Sequence, residues 1–306
     1  MRDTPIHPDE LAMSTQVAQG LLASQMPELA GLPLQRVHST GTDNFLFRCG
    51  QDKCLRLPRS PACAKGLRRE LQVLGRFQGM SWEVPHIYAL GRPEGRYPCP
   101  WVVLNWIDGV SASAENVSDQ PQLAIDLAGF LRELWHLDTA DGPPAGAENH
   151  FRGSPLMVRD ALVRQAMQQL EDLYDVKHLL VIWEHCLGAP KWNLAPRWVH
   201  GDLLVGNLLA KNGRLTAVID FGLCAAGDPA VDLMAAWTLF SGANRQAFFT
   251  AAHIDEASWL RAKGWALSWA LIALAYYRNK ESPFLVELSK RTLVEVLEEE
   301  GDKTVF

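Results

Sequence analysis

The pattern of apolar and polar positions changes along the chain at about residue 106. Before that point the apolar residues form short runs typical of strands, and one stretch between the third and fourth runs has helical spacing. The predicted strands are Leu34–His38, Asn44–Cys49, Lys53–Leu57, Ile87–Leu90 and Trp101–Trp106. The predicted helices are an opening segment from Pro8 to Met26 and a second from about Cys63 to Phe77. This order predicts a small sheet with one inserted helix.

From residue 107 onward the pattern is mostly helical. Leu123–Leu137 and Val158–Leu187 have helical spacing, and Thr139–Pro155 between them is rich in glycine and proline. Three more helices are expected at the end of the chain. The chain has 306 residues, a length that suits two domains or one bilobal enzyme. We therefore predict two domains, residues 1–106 and 107–306.

A β-hairpin is predicted within the helical part. Two strand-like runs, Leu208–Lys211 and Leu215–Ile219, flank Asn212-Gly213, the strongest short-range hairpin signal. The hairpin places Asn207 at the entry of one strand and Asp220 at the exit of the other. Both side chains can then face a single metal ion, and their oxygens are the hard ligands that Mg²⁺ prefers.

The residues around this hairpin have the spacing of the protein-kinase signature. His200-Gly201-Asp202 is followed by Asn207, and Asp220 is followed by Phe221-Gly222, matching H-x-D-x-x-x-x-N and then D-F-G. Phosphoryl transfer needs a carboxylate near the attacking hydroxyl and oxygen ligands for magnesium. We predict that Asp202 is the catalytic base or orienter, and that His200 holds the loop. The non-functional alternative is a loop acid and an amide that cap turns.

An acidic residue lies on the core-facing side of the helix predicted from about Cys63 to Phe77. Glu70 falls inside the apolar stripe formed by Leu67, Leu71 and Leu74. A buried acid needs a partner, and Arg56 on a neighbouring predicted strand is the candidate. A strand cation paired with a helix Glu, poised over the α- and β-phosphates, is the recurring kinase arrangement. The alternative is a Glu70 that reaches solvent from the edge of the stripe.

A loop with several hydroxyl groups joins the first two predicted strands. Ser39, Thr40 and Thr42 stand there beside one glycine, where a phosphate-covering loop is expected. An ordinary hairpin turn explains the same residues almost as well. No Gly-x-x-x-x-Gly-Lys-Ser/Thr occurs in the chain, which excludes a Walker-type phosphate loop.

Composition narrows the class of protein further. The net charge of −6 and the pI near 5.9 argue against a general nucleic-acid binder. The six cysteines show no Cys-x-x-Cys spacing, so reduced thiols are expected rather than a zinc site or a disulfide framework. We see no secretory signal and no apolar run long enough to cross a bilayer. A cytoplasmic protein without a membrane or nucleic-acid partner is expected, and its oligomeric state stays open.

The motifs resemble those of the aminoglycoside phosphotransferase family, whose relatives include macrolide phosphotransferases and choline and homoserine kinases. The similarity is carried by the His200–Asn207 and Asp220–Gly222 motifs, by Gly227-Asp228-Pro229 and by Asp232-Leu233. It implies an α+β, bilobal, kinase-like fold with an antiparallel N-terminal sheet and a mostly helical C-terminal lobe. It also implies that Asp202 is the base, that Asn207 and Asp220 bind Mg²⁺, and that Asp232 braces the catalytic loop. The adenine would be held by the hinge residues Val103, Leu104, Asn105 and Trp106.

The resemblance implies an enzyme that moves the γ-phosphoryl group of ATP or GTP to a hydroxyl of a small molecule. We expect an aminoglycoside or macrolide antibiotic as acceptor. Arg56 departs from the family, which usually carries a lysine there, and arginine is larger with fixed donors. A non-catalytic nucleotide-binding pseudokinase is therefore one alternative. A metabolite kinase, for choline or homoserine, is another, because the motifs do not identify the acceptor. Carboxylates of the helical lobe would favour an aminoglycoside, and its tryptophans a macrolide.

Overall fold

The computed structural model of the protein describes residues 9–37, 41–280 and 282–301. The described strands are β1 (Leu34–Val37), β2 (Asn44–Cys49), β3 (Lys53–Pro58), β4 (Ile87–Gly91), β5 (Trp101–Asn105), β6 (Val110–Ser111), β7 (Arg197–Val199), β8 (Leu208–Lys211), β9 (Arg214–Val218) and β10 (Ala225–Gly227). The described helices are α1 (Thr15–Gln25), α2 (Ala64–Val73), α3 (Gln120–His136), α4 (Asp160–Gln169), α5 (Val176–Leu187), α6 (Ala230–Leu233), α7 (Ala235–Thr238), α8 (Gly242–Ala252), α9 (Glu256–Tyr277) and α10 (Pro283–Gly301).

The chain folds into two compact units. The first combines the residues up to Asn116 with Gly206–Leu223, and the second combines Val117–Val205 with the residues from Cys224 onward. This grouping differs from the predicted division at residue 106, because the β8–β9 hairpin belongs to the first unit. The reason is strand pairing, since β6 pairs antiparallel with β8 and extends the hairpin to three strands.

The first unit is built on an antiparallel five-stranded sheet in the order β1-β2-β3-β5-β4. All five predicted strands occur in it, although His38, the predicted end of the first, lies outside the described residues. Burial alternates along β2, where Phe45, Phe47 and Cys49 are buried, as expected for a strand with one face on a core. That core also takes Leu21 and Leu22 of α1.

The helix inserted in this sheet carries the predicted buried acid. The α2 helix continues into a 3-10 turn at Leu74–Phe77, so the two together span the predicted helix. Leu67, Glu70 and Val73 are buried on its inner side. The α2 helix packs against the turn Phe221–Leu223, which follows β9 within the same unit.

The second unit is organised around α9. This helix packs against α4, α5, α6 and α10, and its Trp265 and Trp269 are buried, so these two tryptophans belong to the core. The short β7 and β10 strands pair antiparallel, with Ala225 opposite Val199. No helix in the described part of the chain is both long enough and apolar enough to cross a membrane.

Two predictions for the helical region were wrong. The single helix expected over Val158–Leu187 is divided into α4 and α5 by residues 170–175, because Asp175 caps a new helix by accepting the N–H groups of Lys177 and His178. The part of the chain that the structure describes has five helices after Asp228 where three were expected, namely the short helices α6 and α7 followed by α8, α9 and α10. The N-terminal prediction was too long, since α1 begins at Thr15 and Ser14 caps it.

A close backbone contact fixes the loop that precedes α4. A side-chain carbon added to Gly227 would lie 2.4 Å from the carbonyl oxygen of Gly153, and the Asp228 N–H donates to that same oxygen at 2.7 Å. Gly153 itself has a φ of +87°, a conformation that glycine adopts without strain. The strand β10 and this loop therefore require glycine at both positions.

Replacing Gly227 by alanine is expected to destabilise the protein by about 1–3 kcal/mol, as overpacking does in well-packed interiors. The new methyl group meets backbone atoms, which cannot rotate away. Thermal unfolding measures the effect, and Gly20→Ala is the matched control because nothing lies within 4 Å of its added carbon. Equal unfolding temperatures for Gly227→Ala and the wild type would contradict the packing described above.

Candidate active site

A buried guanidinium joins two carboxylates in the first unit. Arg56 Nη1 donates to Glu70 Oε2 at 2.5 Å, and Arg56 Nη2 donates to Asp220 Oδ1 at 3.0 Å. Glu70 Oε1 accepts the backbone N–H of Phe221 at 3.1 Å. The structure thus brings Arg56 and Glu70 together as the sequence predicted, and it adds a contact to Asp220 that the sequence did not indicate.

The charges of this cluster depend on one another. Burial raises the pKa of the Glu70 carboxyl, and the Arg56 guanidinium opposes that shift. Burial also works against the charged form of Arg56, but the carboxylates of Glu70 and Asp220 raise the pKa of Arg56 above its ordinary value. Arg56 therefore stays charged, and it holds Glu70 and Asp220 in fixed positions.

The β8–β9 hairpin places Asn207 and Asp220 at its open end. Leu208 pairs with Val218, and the Ile219 N–H donates to the Asn207 carbonyl oxygen at 2.9 Å. Neighbouring strands lie about 5 Å apart, so the two residues flank the same end of the hairpin. Asp220 has a φ of +67°, a left-handed conformation that few residues except Gly, Asn and Asp adopt.

The donor set at this hairpin end suits magnesium. An amide oxygen and a carboxylate are hard ligands, and Mg²⁺ usually takes only one or two protein carboxylates together with waters and substrate phosphates. No group of three or more His, Cys, Asp or Glu side chains with metal-binding geometry occurs among the described residues. A metal held jointly with a nucleotide fits Asn207 and Asp220, whereas a site formed by protein carboxylates and imidazoles alone does not.

The predicted hinge follows directly from the central sheet. Val103 and Leu104 are buried in β5, the Asn105 N–H donates to the His86 carbonyl oxygen, and the Trp106 N–H donates to that of Asp52. Those two N–H groups therefore bind backbone carbonyl oxygens of the first unit. The adenine-binding role of this segment stays a prediction. In the loop between β1 and β2, Thr42 donates to its neighbour Asp43, and Ser39 and Thr40 lie outside the described residues.

A buried carboxylate organises the predicted catalytic loop in the second unit. Asp232 Oδ2 accepts the His200 N–H and Oδ1 accepts the Gly201 N–H, both at 2.7 Å. The imidazole Nδ1 of the fully buried His200 accepts the Asp202 N–H at 3.2 Å, and Gly201 has a φ of +83°. His200 thus lies where a structural role requires it, and Asp202 remains partly exposed.

Neighbouring groups stabilise the ionised form of Asp232 against the cost of burying its charge. Desolvation raises the pKa of Asp232 to about 7, although the N–H groups of Gly201 and His200 and the Arg152 charge all lower it. An ionised carboxylate can accept both N–H bonds with its two oxygens. Through these two hydrogen bonds Asp232 holds the backbone of the loop that carries Asp202.

The comparison with known families now decides the class of this protein. Residues 34–266 match the profile of APH, the phosphotransferase enzyme family, and this range contains both the Arg56 cluster and the catalytic loop. The chain belongs to the APH phosphotransferase family. It is therefore an enzyme of the phosphotransferase class. A comparison with curated protein sequences gives no significant match.

Solved structures of aminoglycoside and macrolide phosphotransferases share the fold. The GDP complex of aminoglycoside 2'-phosphotransferase-IIIa has a TM-score of 0.71 at 20% identity, covering 94% of this chain and 100% of that one. A macrolide 2'-phosphotransferase type I has a TM-score of 0.63 at 17% identity, covering 92% and 98%. The macrolide 2'-phosphotransferase MphH from Brachybacterium faecium has 0.62 at 21%, covering 91% and 97%. The predicted kinase-like fold is confirmed.

The second unit of this APH phosphotransferase contains a cavity of about 280 Å³. Its walls are mainly apolar and include Pro155, Leu156, Met157, Leu187, Trp192 and Leu194. Asp228 is the carboxylate among the lining residues, and it is bound by Arg261, whose Nε lies 2.8 Å from Asp228 Oδ2. Lys191 also lines the cavity. The cavity therefore offers apolar surface and little negative charge.

Four acidic residues of the helical region make local contacts. Asp160 accepts from Arg164 and from the Trp183 indole, Asp172 pairs with Arg278, and Asp175 and Asp255 cap helices. The sequence did not indicate these partners, because each lies on another element or several residues away along the chain. Nor did it indicate Arg152, a buried cation in the Gly/Pro-rich loop that carries no local motif.

Removing the cation of the Arg56 cluster is expected to destabilise the protein strongly. Arg56→Met leaves Glu70 buried without its counter-charge, a change that typically costs about 3–5 kcal/mol. The double variant Arg56→Met/Glu70→Met removes both charges and should recover most of the loss, because apolar replacement of a buried pair is often neutral. Denaturant unfolding measures both. Full additivity of the two single substitutions would show that the pair is not coupled.

Proposed function

We propose that this APH phosphotransferase transfers the γ-phosphoryl group of ATP or GTP to a hydroxyl of a small molecule, with Mg²⁺ as the metal. The acceptor oxygen forms a bond to the γ-phosphorus, the bond to the β-phosphate oxygen breaks, and the hydroxyl proton passes to Asp202. The nucleoside diphosphate leaves. The observation that carries the proposal is the Arg56 cluster, a buried cation bound to a helix glutamate and to the aspartate of the hairpin.

Arginine can fulfil the role of the usual lysine in this cluster. Glu70 and Asp220 each take one of its hydrogen bonds, and a guanidinium has five N–H donors. The remaining donors can bind α- and β-phosphate oxygens, for which arginine has suitable geometry. The ion pair supports an active enzyme rather than a pseudokinase, because Glu70 and Asp220 hold the Arg56 guanidinium in place.

Magnesium would be bound by Asn207 and Asp220 together with the nucleotide phosphates. Such an ion neutralises charge on the phosphates as the transferred group moves. Asp220 is oriented by Arg56 through one carboxylate oxygen, and its left-handed backbone turns it away from the line of β9. The hairpin therefore serves to present two oxygen ligands from one rigid element.

The acceptor is proposed to be largely apolar, as a macrolide is. A polycationic aminoglycoside needs convergent carboxylates, whereas the cavity of the second unit presents Asp228 already neutralised by Arg261, with Lys191 beside it. Apolar walls with few polar groups suit an apolar ligand. An assay of ADP or GDP release with erythromycin, kanamycin, choline and homoserine tests this, and turnover with kanamycin alone would reverse the choice of acceptor class.

Asp202→Ala is expected to lower kcat by about 10²–10⁴-fold, the range for loss of a general base. Nucleotide affinity should change little, because the nucleotide contacts are assigned to the first unit. Steady-state kinetics and isothermal titration calorimetry measure the two quantities. Glu171→Ala, an exposed acid of the same unit, is the control, and undiminished turnover in Asp202→Ala would remove Asp202 from the mechanism.

Asp220→Asn is expected to raise the Mg²⁺ concentration needed for half-maximal nucleotide binding by roughly tenfold or more, because a neutral amide is a weaker ligand than a carboxylate. Titration with Mg²⁺ at fixed nucleotide measures the shift. Glu115→Gln, at an exposed acid in the same unit, is the matched control. An Asp220→Asn enzyme with the wild-type Mg²⁺ requirement would exclude Asp220 as a ligand.

A further inference from the structure

Among the described residues of the second unit, one buried arginine has no carboxylate partner. Arg152 is 8% exposed, and its Nε atom has no hydrogen-bond partner in the described part of the chain. Its Nη1 lies 3.7 Å from the Met234 sulfur, and its guanidinium lies 5.8 Å from the centre of the Trp265 ring. Within the described residues it makes no ion pair. A buried guanidinium without such a partner is costly, so its retention needs a reason.

The loop around Arg152 is held in an unusual conformation. His150, Phe151 and Gly153 have φ values of 53°, 60° and 87°. The fully buried Asn149 fixes this turn, because its Oδ1 accepts the Gly146 N–H and its Nδ2 donates to the Arg152 carbonyl oxygen. Left-handed residues other than glycine are destabilising and persist where the surrounding structure determines them. The conformation of this loop therefore keeps the Arg152 side chain buried.

The charges that Arg152 influences are those of the catalytic loop. Burial lowers the pKa of Arg152, and the negative charges of Asp202 and Asp232 act against that shift. Met234, which Arg152 touches, follows α6, the helix that carries Asp232. Arg152 thus lies beside the element whose carboxylate holds the backbone of His200 and Gly201.

Other charged and titratable groups around Asp232 have partners of their own. The imidazole of His200 binds the Asp202 N–H, and Arg261 of α9 is bound to Asp228. Lys263 on the same helix is also buried and has other contacts. Arg159, from the turn before α4, donates to Ser268 and to the His150 carbonyl oxygen. The positive charge of Arg152 lowers the pKa of Asp232.

We propose that Arg152 is a positioning residue whose buried charge keeps the Asp232 carboxylate ionised, so that both carboxylate oxygens hold the loop that carries Asp202. The inference rests on the proposed function in one respect, since Asp202 is the base whose position matters. Arg152 does not touch the reacting atoms. It acts through Asp232.

The first test needs no catalytic activity. Asp232 has a folded pKa of about 7, above the ordinary value of 3.8, so its burial lowers stability progressively as the pH rises toward 7. Removing the Arg152 charge raises that pKa further and extends the loss of stability to higher pH. The unfolding temperature of Arg152→Met should therefore fall relative to wild type between about pH 7 and pH 9, and the difference should be constant below about pH 6.

Three variants make this test specific. Arg152→Lys keeps the charge and should follow the wild-type pH dependence. In the Asp232→Asn background, Arg152→Met should lose its pH-dependent component, because no carboxylate remains to be ionised. Arg159→Met is the matched control, since Arg159 lies 5.7 Å from the same Trp265 ring and should shift the unfolding temperature equally at every pH.

A second uncharged variant provides the same test if Arg152→Met does not fold. Arg152→Gln keeps hydrogen-bonding atoms without charge and should show the same pH-dependent difference as Arg152→Met. A Gln variant with the wild-type pH dependence, or a pH-dependent difference that persists beside Asp232→Asn, would overturn the proposal. Both results come from unfolding measurements and need no turnover of an acceptor. A failure of this proposal can therefore be distinguished from a failure of the proposed function.

With an accepted substrate, the same mechanism predicts a kinetic signature. The acidic limb of the kcat profile should move to higher pH in Arg152→Met, because the acid that holds the loop then ionises later. The KM for nucleotide should stay within about twofold of wild type. Arg152→Lys should restore the profile. An unshifted limb with a uniformly lower kcat would assign Arg152 a packing role and overturn the proposal.

Discussion

The burial of a charged guanidinium between two carboxylates is the constraint on which the first unit depends. A charge is expensive to bury unless its hydrogen bonds are satisfied by opposite charges in good geometry. Arg56 meets this condition only because β3, α2 and the end of β9 converge on it, with distances of 2.5 Å to Glu70 and 3.0 Å to Asp220. The same convergence sets Asp220 beside Asn207 at the open end of the hairpin.

The second unit uses buried charge for the same purpose with a different set of residues. The Asp232 carboxylate accepts two backbone N–H groups of the catalytic loop. Asp228, which follows β10, binds Arg261 of α9. In each case a side chain fixes a loop that has no regular secondary structure of its own. Such loops are positioned by a rigid scaffold and carry functional groups in many enzymes.

Local patterns predicted a large part of this fold. The short apolar run of β2, the Asn212-Gly213 turn and the helical stripe of α2 are properties of consecutive residues, and each predicted its element. The break between α4 and α5 was not predicted, because the apolar spacing continues through residues 170–175 and the cap at Asp175 decides the boundary. The contact of Arg56 with Asp220 joins residues 164 positions apart. The burial of Arg152 depends on packing against Met234 and Trp265, which are also distant along the chain, so neither feature leaves a local signal.

A crystal structure with Mg²⁺ and a non-hydrolysable ATP or GTP analogue tests the central claim most directly. The account predicts an ion bound by Asn207 Oδ1 and an Asp220 carboxylate oxygen at about 2.0–2.1 Å, the usual distance for magnesium, with Arg56 donating to the α- or β-phosphate. A nucleotide bound away from Arg56, or a metal bound by neither Asn207 nor Asp220, would contradict it.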